Sequence, residues 1–504
     1  MQRLPANVRS TLLSDAAPAS QEQIKRWTVG ALANINVTAA PPPSSPATNP
    51  PPSPPPSPLP FHNSKRHKVP PRADVAEVLL NDIKLRLAGQ LSRTLDMTQQ
   101  AESILGLSDD GGNLGSSSSS SSSRHGGTEN KDPSEPNRKP KVIRAINQPV
   151  KLSPKLQMEY EAQAQREKIT AMKNLKDIET LHTGTYSLVH DLLDDGAPTL
   201  RRYSSADASL VAATFESVRS RHAMSVELMA DTVIALRRAR SLRAGIGRTP
   251  AGQFCGIHLT LIDSFLRERL GVQLLCDHYV ALDKGKPNGG IAVDCNVYEV
   301  VDDAATEAKH VCDANCGVAP DVIISYGMER MVSLPLKLCS LVGDSLRIGG
   351  YDDITLTIIR PWLHHSLVEV LKNACSSSVQ MADDSGDGSH PSEVHVRIVD
   401  GTDSVSIAVL DQGVGLSEDG MKRAFRFAES SSLKRWDRID EQTSYAMVRQ
   451  PLGSLGVGLP LSRMMMEMFG GNVLISNRAE GDGLASGCTA VIKIPKDDQI
   501  LERS

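Results

Sequence analysis

The sequence contains no run of about 18 apolar residues, so it offers no segment long enough to cross a membrane as a helix. It also has no concentration of basic residues. Its 55 Lys and Arg are scattered among 59 Asp and Glu, and the formal net charge is −4. Because nucleic-acid binding depends on a basic face that contacts phosphates, nucleic acid is not expected as the main ligand.

The cysteines do not form a disulfide framework, and no apolar region of a secretory signal peptide precedes them. All eight lie between Cys255 and Cys488, and we expect reduced thiols. The close pair Cys312 and Cys316 lacks the second pair of ligands that a zinc site would need. Buried helix cysteines are therefore expected there.

Composition divides the first part of the chain into four segments. Residues 1–39 carry Arg3 and Arg9 and have no acidic residue before Asp15, which is typical of a mitochondrial transit peptide, with a disordered start as the alternative. Residues 40–68 are rich in proline and predict an extended linker. Residues 69–105 have helical spacing and begin a regulatory domain. Residues 106–141 include a run of serines and predict a disordered insertion.

In the remaining chain the spacing of apolar residues changes once, from a helical pattern to one that includes strands. Residues 142–290 repeat apolar residues at intervals of three and four, which predicts a helix bundle. Residues 291–497 contain the strand-like runs "DVIISY", "DITLTIIR", "VHVRIVD" and "SVSIAVLD", separated by helices. Residues 498–504 form a short tail. The expected fold class is α+β: an N-terminal helix bundle followed by an α/β sandwich on a mixed sheet.

One helix, which begins near Pro361, has two distinct faces. At about 100° per residue, His365, Glu369 and Asn373 line up on one face. A polar face of this kind is most often simply solvated. The opposite face is an apolar stripe formed by Leu363, Leu367, Val370, Leu371 and Ala374.

Two glycine motifs follow this helix in the sequence. Asp411 and two glycines come directly after a predicted strand, where the backbone must turn tightly. Gly456 and Gly458 immediately precede a helix, whose free N-terminal amides are suited to phosphate. A strand "GCTAVIKIP" closes the region. One glycine pair alone is weak evidence, whereas the three motifs in this order form a specific arrangement.

This arrangement resembles the ATP-binding fold shared by gyrase, the large heat-shock chaperone, MutL and the histidine kinases. The resemblance implies ATP and Mg²⁺ as cofactors, with Asn373 as the Mg²⁺ ligand and Asp411 at the adenine amino group. Asn offers a neutral oxygen suited to a hard ion, and a carboxylate accepts a hydrogen bond from an amine. The other implied ATP-binding residues are Gly413, Gly415, Leu455, Gly456, Val457, Gly458, Leu459, Cys488 and Thr489.

Within that superfamily, "RPWLHHSLVEVLKNACSS" and "GVGLPLSRMMMEMFGG" resemble the mitochondrial 2-oxo acid dehydrogenase kinases, and "VRSRH", "LIDSFLRERLGVQLL" and "DHYVAL" are similar to their regulatory helices. The resemblance implies a homodimeric protein serine kinase of the mitochondrial matrix. Such a kinase phosphorylates and inactivates the decarboxylase subunit of a 2-oxo acid dehydrogenase complex and docks on its lipoyl-bearing acyltransferase core. Whether the complex is the pyruvate or the branched-chain one stays open, with the short tail and "KPNGGIAV" favouring the latter.

The catalytic residues implied are Glu369 as base, His365 one turn earlier to tune it, and Lys372 to neutralise charge. His222 could instead suggest a phospho-accepting histidine, but "RHAMSVELM" lacks the His-Glu-x-x-Thr-Pro pattern. An ATP-hydrolysing chaperone- or gyrase-like ATPase and a nucleotide-binding pseudokinase are the alternative functions.

Three departures from the family pattern stand out. Ser454 replaces the first glycine of the lid, and Cys488 stands where threonine is usual. Arg219, His222 and Arg269 match an effector pocket for 2-oxo acids, but Gln273 replaces a further arginine there. Effector binding is therefore less strongly implied than ATP binding.

Overall fold

The structure is a computed structural model, and it describes residues 6–17, 21, 26–35, 73–104, 153–194, 205–243, 257–326, 354–386, 388–429, 455–478 and 487–503. The predictions of a proline-rich linker over residues 40–68 and of a Ser/Gly-rich insertion over residues 106–141 lie outside these residues, as does Ser454.

The first region is helical. Its elements are α1 (Ala6–Asp15), α2 (Val29–Asn34), α3 (Ala73–Ile104), α4 (Pro154–Asp194), α5 (Ser205–His222), α6 (Ser225–Arg243) and α7 (Leu259–Asp283). Helix α3 contacts α4 and α7, α4 contacts α6, and α5 contacts α7. The apolar residues that recur at helical spacing along α3 are fully buried, among them Leu79, Ile83 and Leu87. The predicted helix-rich N-terminal region is confirmed.

The segment predicted as a transit peptide packs against this bundle. Leu12 of α1 and Leu32 of α2 are fully buried in the bundle core. The indole Nε1 of Trp27 donates to Asp82 Oδ2 of α3 at 2.9 Å, and the hydroxyl of Tyr186 donates to Asp15 Oδ2 at 2.5 Å. The transit peptide stays a prediction, but Leu12, Trp27 and Leu32 of this segment contribute to the folded core.

The second region combines strands and helices. Its elements are β1 (Ala292–Asn296), α8 (Val297–Cys316), β2 (Val322–Tyr326), β3 (Thr355–Ile358), α9 (Arg360–Ser385), β4 (Val394–Asp400), β5 (Ser404–Leu410), α10 (Glu418–Arg423), α11 (Gly458–Glu467), β6 (Asn472–Asn477) and β7 (Cys488–Pro495). The order of strands in the main sheet is β2-β4-β5-β7-β6, with β2 parallel to β4 and the other neighbours antiparallel. A mixed sheet is therefore confirmed.

The strand register brings distant parts of the chain to one edge of the sheet. Leu410 at the end of β5 lies opposite Thr489 near the start of β7, and Cys488 lies opposite Asn477 at the end of β6. The loop that follows β5 therefore leaves the sheet beside the first residues of β7. This edge carries the predicted adenine contact.

Helix α9, the platform helix, packs against other elements of this region and carries the predicted polar face. Pro361 occupies its first turn, where the missing amide hydrogen costs nothing, and Gly386 ends it in the left-handed conformation at φ 68°. The helix packs on α8, α11 and the sheet. The whole predicted apolar stripe is buried. One side of α9 is thus fixed in the core while its polar face lies next to α11.

The core of the bundle extends across the junction to the second region, which also has a core cluster of its own. Trp362 at the start of α9 and Phe469 after α11 belong to the same buried cluster as Phe265 of α7. Arg267 Nη2 lies 2.9 Å from Glu467 Oε2 across this junction. Arg86 of α3 donates to both carboxylate oxygens of Glu502 at 2.7 and 2.8 Å, so the C-terminal segment is also attached to the bundle. None of the helices in the described ranges has the length and apolar content that a membrane crossing requires.

Candidate active site

The carboxylate of Glu369 lies on α9 beneath the start of α11. Its side chain is 10% exposed, and Lys372 Nζ donates to its Oε1 at 2.5 Å. A Cβ built at Gly458 would lie 2.0 Å from its Oε2. Oε1 is therefore held by a lysine, and Oε2 faces the backbone at Gly458, the first residue of α11. The structure brings Glu369, Lys372 and Gly458 together, as the sequence predicted for one site.

His365 lies one helical turn before Glu369. It is partly buried, and its Nε2 has no hydrogen-bond partner among the residues that the structure describes. Burial lowers the pKa of His365, and the charge of Glu369 only partly opposes this effect. A lowered pKa favours the neutral form of the imidazole.

Asp411 is fixed at the point where β5 ends. Its Oδ1 accepts hydrogen bonds from the backbone amides of Gly413 at 2.9 Å and Cys488 at 3.2 Å. Burial raises the pKa of Asp411, and these two amides oppose the rise by stabilising the charged form. The carboxylate is thereby oriented, with Oδ2 left to meet a donor from a ligand.

Two glycines allow this loop to lie close to its neighbours. A Cβ at Gly413 would lie 2.6 Å from the carbonyl carbon of Ser377 in α9. A Cβ at Gly487 would lie 2.2 Å from the carbonyl oxygen of Asp411. Backbone atoms cannot move aside as a flexible side chain can, so each position requires glycine. Gly487 was missed by sequence reasoning, although its place directly before the closing strand was a signal.

The hydroxyl of Thr489 supports the predicted nucleotide site. Thr489 is fully buried, and its Oγ1 has no partner among the described residues. In the sheet it pairs with Leu410, the residue that precedes Asp411. A buried carboxylate acceptor and a buried hydroxyl side by side fit the donor and acceptor edge of an adenine ring. The residues present therefore fit the nucleotide.

Asn477 is a second residue that sequence reasoning missed. Its Oδ1 accepts from Leu416 N at 2.9 Å, and its Nδ2 donates to Leu416 O at 2.6 Å. These two bonds hold the loop that contains Gly415, which has φ +70°. The thiol of Cys488 also donates to Asn477 Oδ1 at 3.3 Å, and burial raises the pKa of this thiol to about 12. Cys488 therefore acts as a neutral donor in the position where threonine was expected.

The lid edge runs over residues 455–459. Gly456 has φ +69°, Val457 is buried, and Leu455 and Leu459 are partly exposed. Val457 precedes α11 without a side-chain cap, so the first amides of α11 are not capped by it. Free amides at a helix start favour an anion.

Asn373, the predicted metal ligand, lies on α9 one turn after Glu369 and is exposed. Within the described part of the chain, no group of three or more His, Cys, Asp or Glu is placed to hold a metal ion. The six described cysteines are free thiols. The expected burial is confirmed for Cys312 and wrong for Cys316, which is exposed because it ends α8.

The predicted effector residues are only partly brought together. Arg269 donates to Ser225 Oγ at 2.9 Å, to the carbonyl of His222 at 3.3 Å and to Gln273 Oε1 at 2.8 Å. Burial lowers the pKa of His222, whose ring packs edge-on against another buried histidine. Arg219 instead pairs with Asp277 at 3.1 Å on the surface. The structure groups His222 with Arg269, while Arg219 forms its ion pair with Asp277.

Comparison with known proteins assigns the class of the C-terminal region. Residues 360–498 match the family of histidine kinase-, DNA gyrase B- and HSP90-like ATPases. This match covers α9, the Asp411 loop, the lid edge and the closing strands. The region is therefore an ATPase domain of this family, and the ATP-binding resemblance seen in the sequence is confirmed.

Curated relatives match about half of this chain. The chain is 25% identical to the mitochondrial pyruvate dehydrogenase (acetyl-transferring) kinase of Arabidopsis thaliana, over 52% of this chain and 62% of that protein. It is 26% identical to isozyme 3 of that kinase from Homo sapiens, over 51% of this chain and 56% of that protein. The likeness to the mitochondrial kinases is thus confirmed, although the chain spans about half the length of the curated relatives it matches.

A solved structure, the mycobacterial sensor histidine kinase MprB, aligns with 40% of this chain and 95% of its own at 14% identity. Its TM-score of 0.26 is too low to support a fold assignment.

Proposed function

We propose that the protein is an ATP-dependent protein serine kinase that phosphorylates and inactivates the decarboxylase subunit of a mitochondrial 2-oxo acid dehydrogenase complex. The observation that carries this proposal is the placement of Glu369. Its buried carboxylate lies on the platform helix directly beneath Gly458 and is held by Lys372, inside a domain of an ATPase family.

The nucleotide would be held by three groups of this chain. Asp411 and Thr489 would contact the adenine, and the first amides of α11 would meet the phosphates. Asn373 would hold Mg²⁺ through its side-chain oxygen, which suits an ion that keeps several waters and binds few protein ligands. Bound Mg-ATP would supply the phosphoryl group, and the metal would neutralise phosphate charge.

The acceptor hydroxyl would be activated by Glu369. Lys372 fixes Oε1, so Oε2 is the oxygen that takes the proton of an incoming serine. His365 lies one helical turn before Glu369, next to the proposed base. Since phosphoryl transfer depends mainly on positioning and charge neutralisation, these residues supply what this chain needs to contribute.

Relatives named as mitochondrial pyruvate dehydrogenase kinases support the mitochondrion as the compartment and the dehydrogenase complex as the partner, and the matrix is part of the same proposal. Docking on the lipoyl-bearing acyltransferase core and homodimer formation belong to the same proposal. A 2-oxo acid effector pocket at His222 and Arg269, with Arg219 nearby, stays a prediction.

Incubation of the full chain with labelled ATP and each purified complex tests the proposal. We expect label in the decarboxylase subunit of the pyruvate or the branched-chain complex, together with a loss of that complex's activity. Phosphate release without any acceptor would favour a chaperone- or gyrase-like ATPase. Nucleotide binding with neither hydrolysis nor transfer would favour a pseudokinase.

A further inference from the structure

The lid edge at Gly456 is held by a short backbone segment that follows α10. A Cβ at Gly456 would lie 2.3 Å from the carbonyl oxygen of Glu429 and 2.7 Å from its amide nitrogen. The carbonyl of Gly456 accepts a hydrogen bond from the amide of Ala428 at 3.0 Å. Residues 428–429 therefore determine where the lid edge begins.

This segment is itself held by the helical region. Nη1 of Arg237 in α6 donates to the carbonyl of Ala428 at 2.9 Å, and its Nη2 lies 3.7 Å from Glu429 Oε1. Ala428 is fully buried and has φ +57°, a conformation that residues with a Cβ keep only where surrounding contacts hold it. A contact between residues 191 positions apart thus supports an unfavourable backbone conformation beside the lid.

The carboxylate of Glu429 also attracts arginines within the ATPase domain, but more weakly than the hydrogen bond from Arg237 to Ala428. Its carboxylate lies 3.9 Å from guanidinium nitrogens of both Arg423 and Arg426, beyond hydrogen-bond distance. Both arginines belong to the ATPase domain, as Glu429 does. Arg237 differs because it comes from the bundle and donates directly to the backbone.

We propose that Arg237 is a positioning residue for the nucleotide site, through which the helical region places the lid edge above Glu369. The contacts run from Arg237 to Ala428, from Ala428 to Gly456, and two residues along the chain from Gly456 to Gly458, which lies on Glu369. The inference rests on the proposed function, because it assigns a role within the same nucleotide site. A shift of α6 relative to the ATPase domain would change nucleotide affinity through this route.

Nucleotide titration of three single variants of the full chain tests the inference. Arg237→Met keeps the length of the side chain and removes its donors, whereas Arg237→Lys keeps one charged donor. Arg238→Met is the matched control, because the guanidinium of Arg238 lies 3.9 Å from Glu167 within the bundle. Affinity is measured with a fluorescent ATP analogue and Mg²⁺, and the unfolding temperature is measured without nucleotide.

We expect Arg237→Met to weaken nucleotide affinity roughly tenfold, since a hydrogen bond from a charged donor is lost. Arg237→Lys should recover part of the affinity, and Arg238→Met should leave it unchanged. Wild-type affinity in Arg237→Met would overturn the inference. So would an equal loss in Arg238→Met, or a loss accompanied by a fall in unfolding temperature that Arg238→Met does not show, because either points to general destabilisation.

These results are separable from those of the kinase proposal. The titration needs no protein acceptor, so a wild-type chain that binds nucleotide but phosphorylates neither dehydrogenase complex would refute the proposed substrate and leave the role of Arg237 standing. Conversely, normal transfer and unchanged affinity in Arg237→Met would refute only the positioning role.

Discussion

Gly458 lies directly on the carboxylate of Glu369, so close that a Cβ at position 458 would come within 2.0 Å of Oε2 and 3.0 Å of Cγ. The Glu369 side chain has little freedom to move away, because it is buried and Lys372 holds its other oxygen. The position of the candidate base and the position of the lid edge are therefore coupled.

This contact makes Gly458→Ala a sensitive test of the site. The added methyl group should displace the Glu369 carboxylate and reduce phosphoryl transfer by roughly tenfold or more, since general-base catalysis depends on hydrogen-bond geometry. Initial rates with the dehydrogenase complex provide the measurement. Gly184→Ala in α4 is the control, because the nearest atom to a Cβ there is 4.0 Å away. Equal rates for both variants would mean that the contact does not affect the reaction.

Glu369→Gln tests the base itself. The amide keeps the shape of the side chain but cannot accept a proton, so we expect the transfer rate to fall by roughly 10²-fold or more while ATP affinity stays similar. Transfer is followed with labelled ATP, and affinity is followed by nucleotide titration. A variant that phosphorylates at the normal rate would show that another group acts as base.

Asn373→Ala tests the predicted metal ligand. Loss of its side-chain oxygen should weaken nucleotide binding and lower turnover, and both effects should be larger at low Mg²⁺ concentration. The measurement is an ATP titration repeated at several Mg²⁺ concentrations. Asn288→Ala serves as the control. It also removes a side-chain amide, which in Asn288 donates to the carbonyl oxygen of Ala33 at 3.0 Å. An unchanged Mg²⁺ dependence in Asn373→Ala would count against the assignment.

The N-terminal segment is expected to contribute to stability. Trp27→Ala removes a buried ring and its 2.9 Å hydrogen bond to Asp82, so the free energy of unfolding should fall by about 3–5 kcal/mol. Denaturant unfolding of Trp27→Ala and of the milder Trp27→Phe measures this contribution.

The same packing predicts that a mature form lacking residues 1–39 is less stable than the full chain. N-terminal sequencing of the protein recovered from mitochondria would show whether such a form exists.

The buried His182 predicts a pH dependence of stability. Burial lowers its pKa to about 4 in the folded state, so between about pH 6.5 and 4 the unfolded chain binds a proton that the folded chain does not. The neutral His182 therefore makes its full contribution to the free energy of unfolding above about pH 6.5. This contribution falls between about pH 6.5 and 4, by at most about 1.4 kcal/mol per pH unit. His182→Gln should have a shallower acid limb in its unfolding free energy than His258→Gln, which changes an exposed histidine. Parallel acid limbs would show that His182 does not titrate in this way.

The local parts of the site could be predicted from the sequence. The stripe from Leu363 to Ala374 and the polar face with Glu369 follow from helical periodicity, which acts over four residues. The turn after Asp411 and the helix start at Gly458 follow from glycine spacing, because tight turns and free helix amides depend on neighbouring residues. These features needed no knowledge of the rest of the chain.

The contacts between distant segments could not be predicted in this way and depend on how the chain packs. Asn477 holds the Leu416 backbone, and Arg237 reaches Ala428, but neither residue has a periodic signature, since each depends on how separate elements pack. The same reason explains the ion pair between Arg219 and Asp277, which lie on different helices. Packing likewise placed Trp27 in the bundle core, because burial depends on which surfaces meet and composition alone reports only what a segment contains.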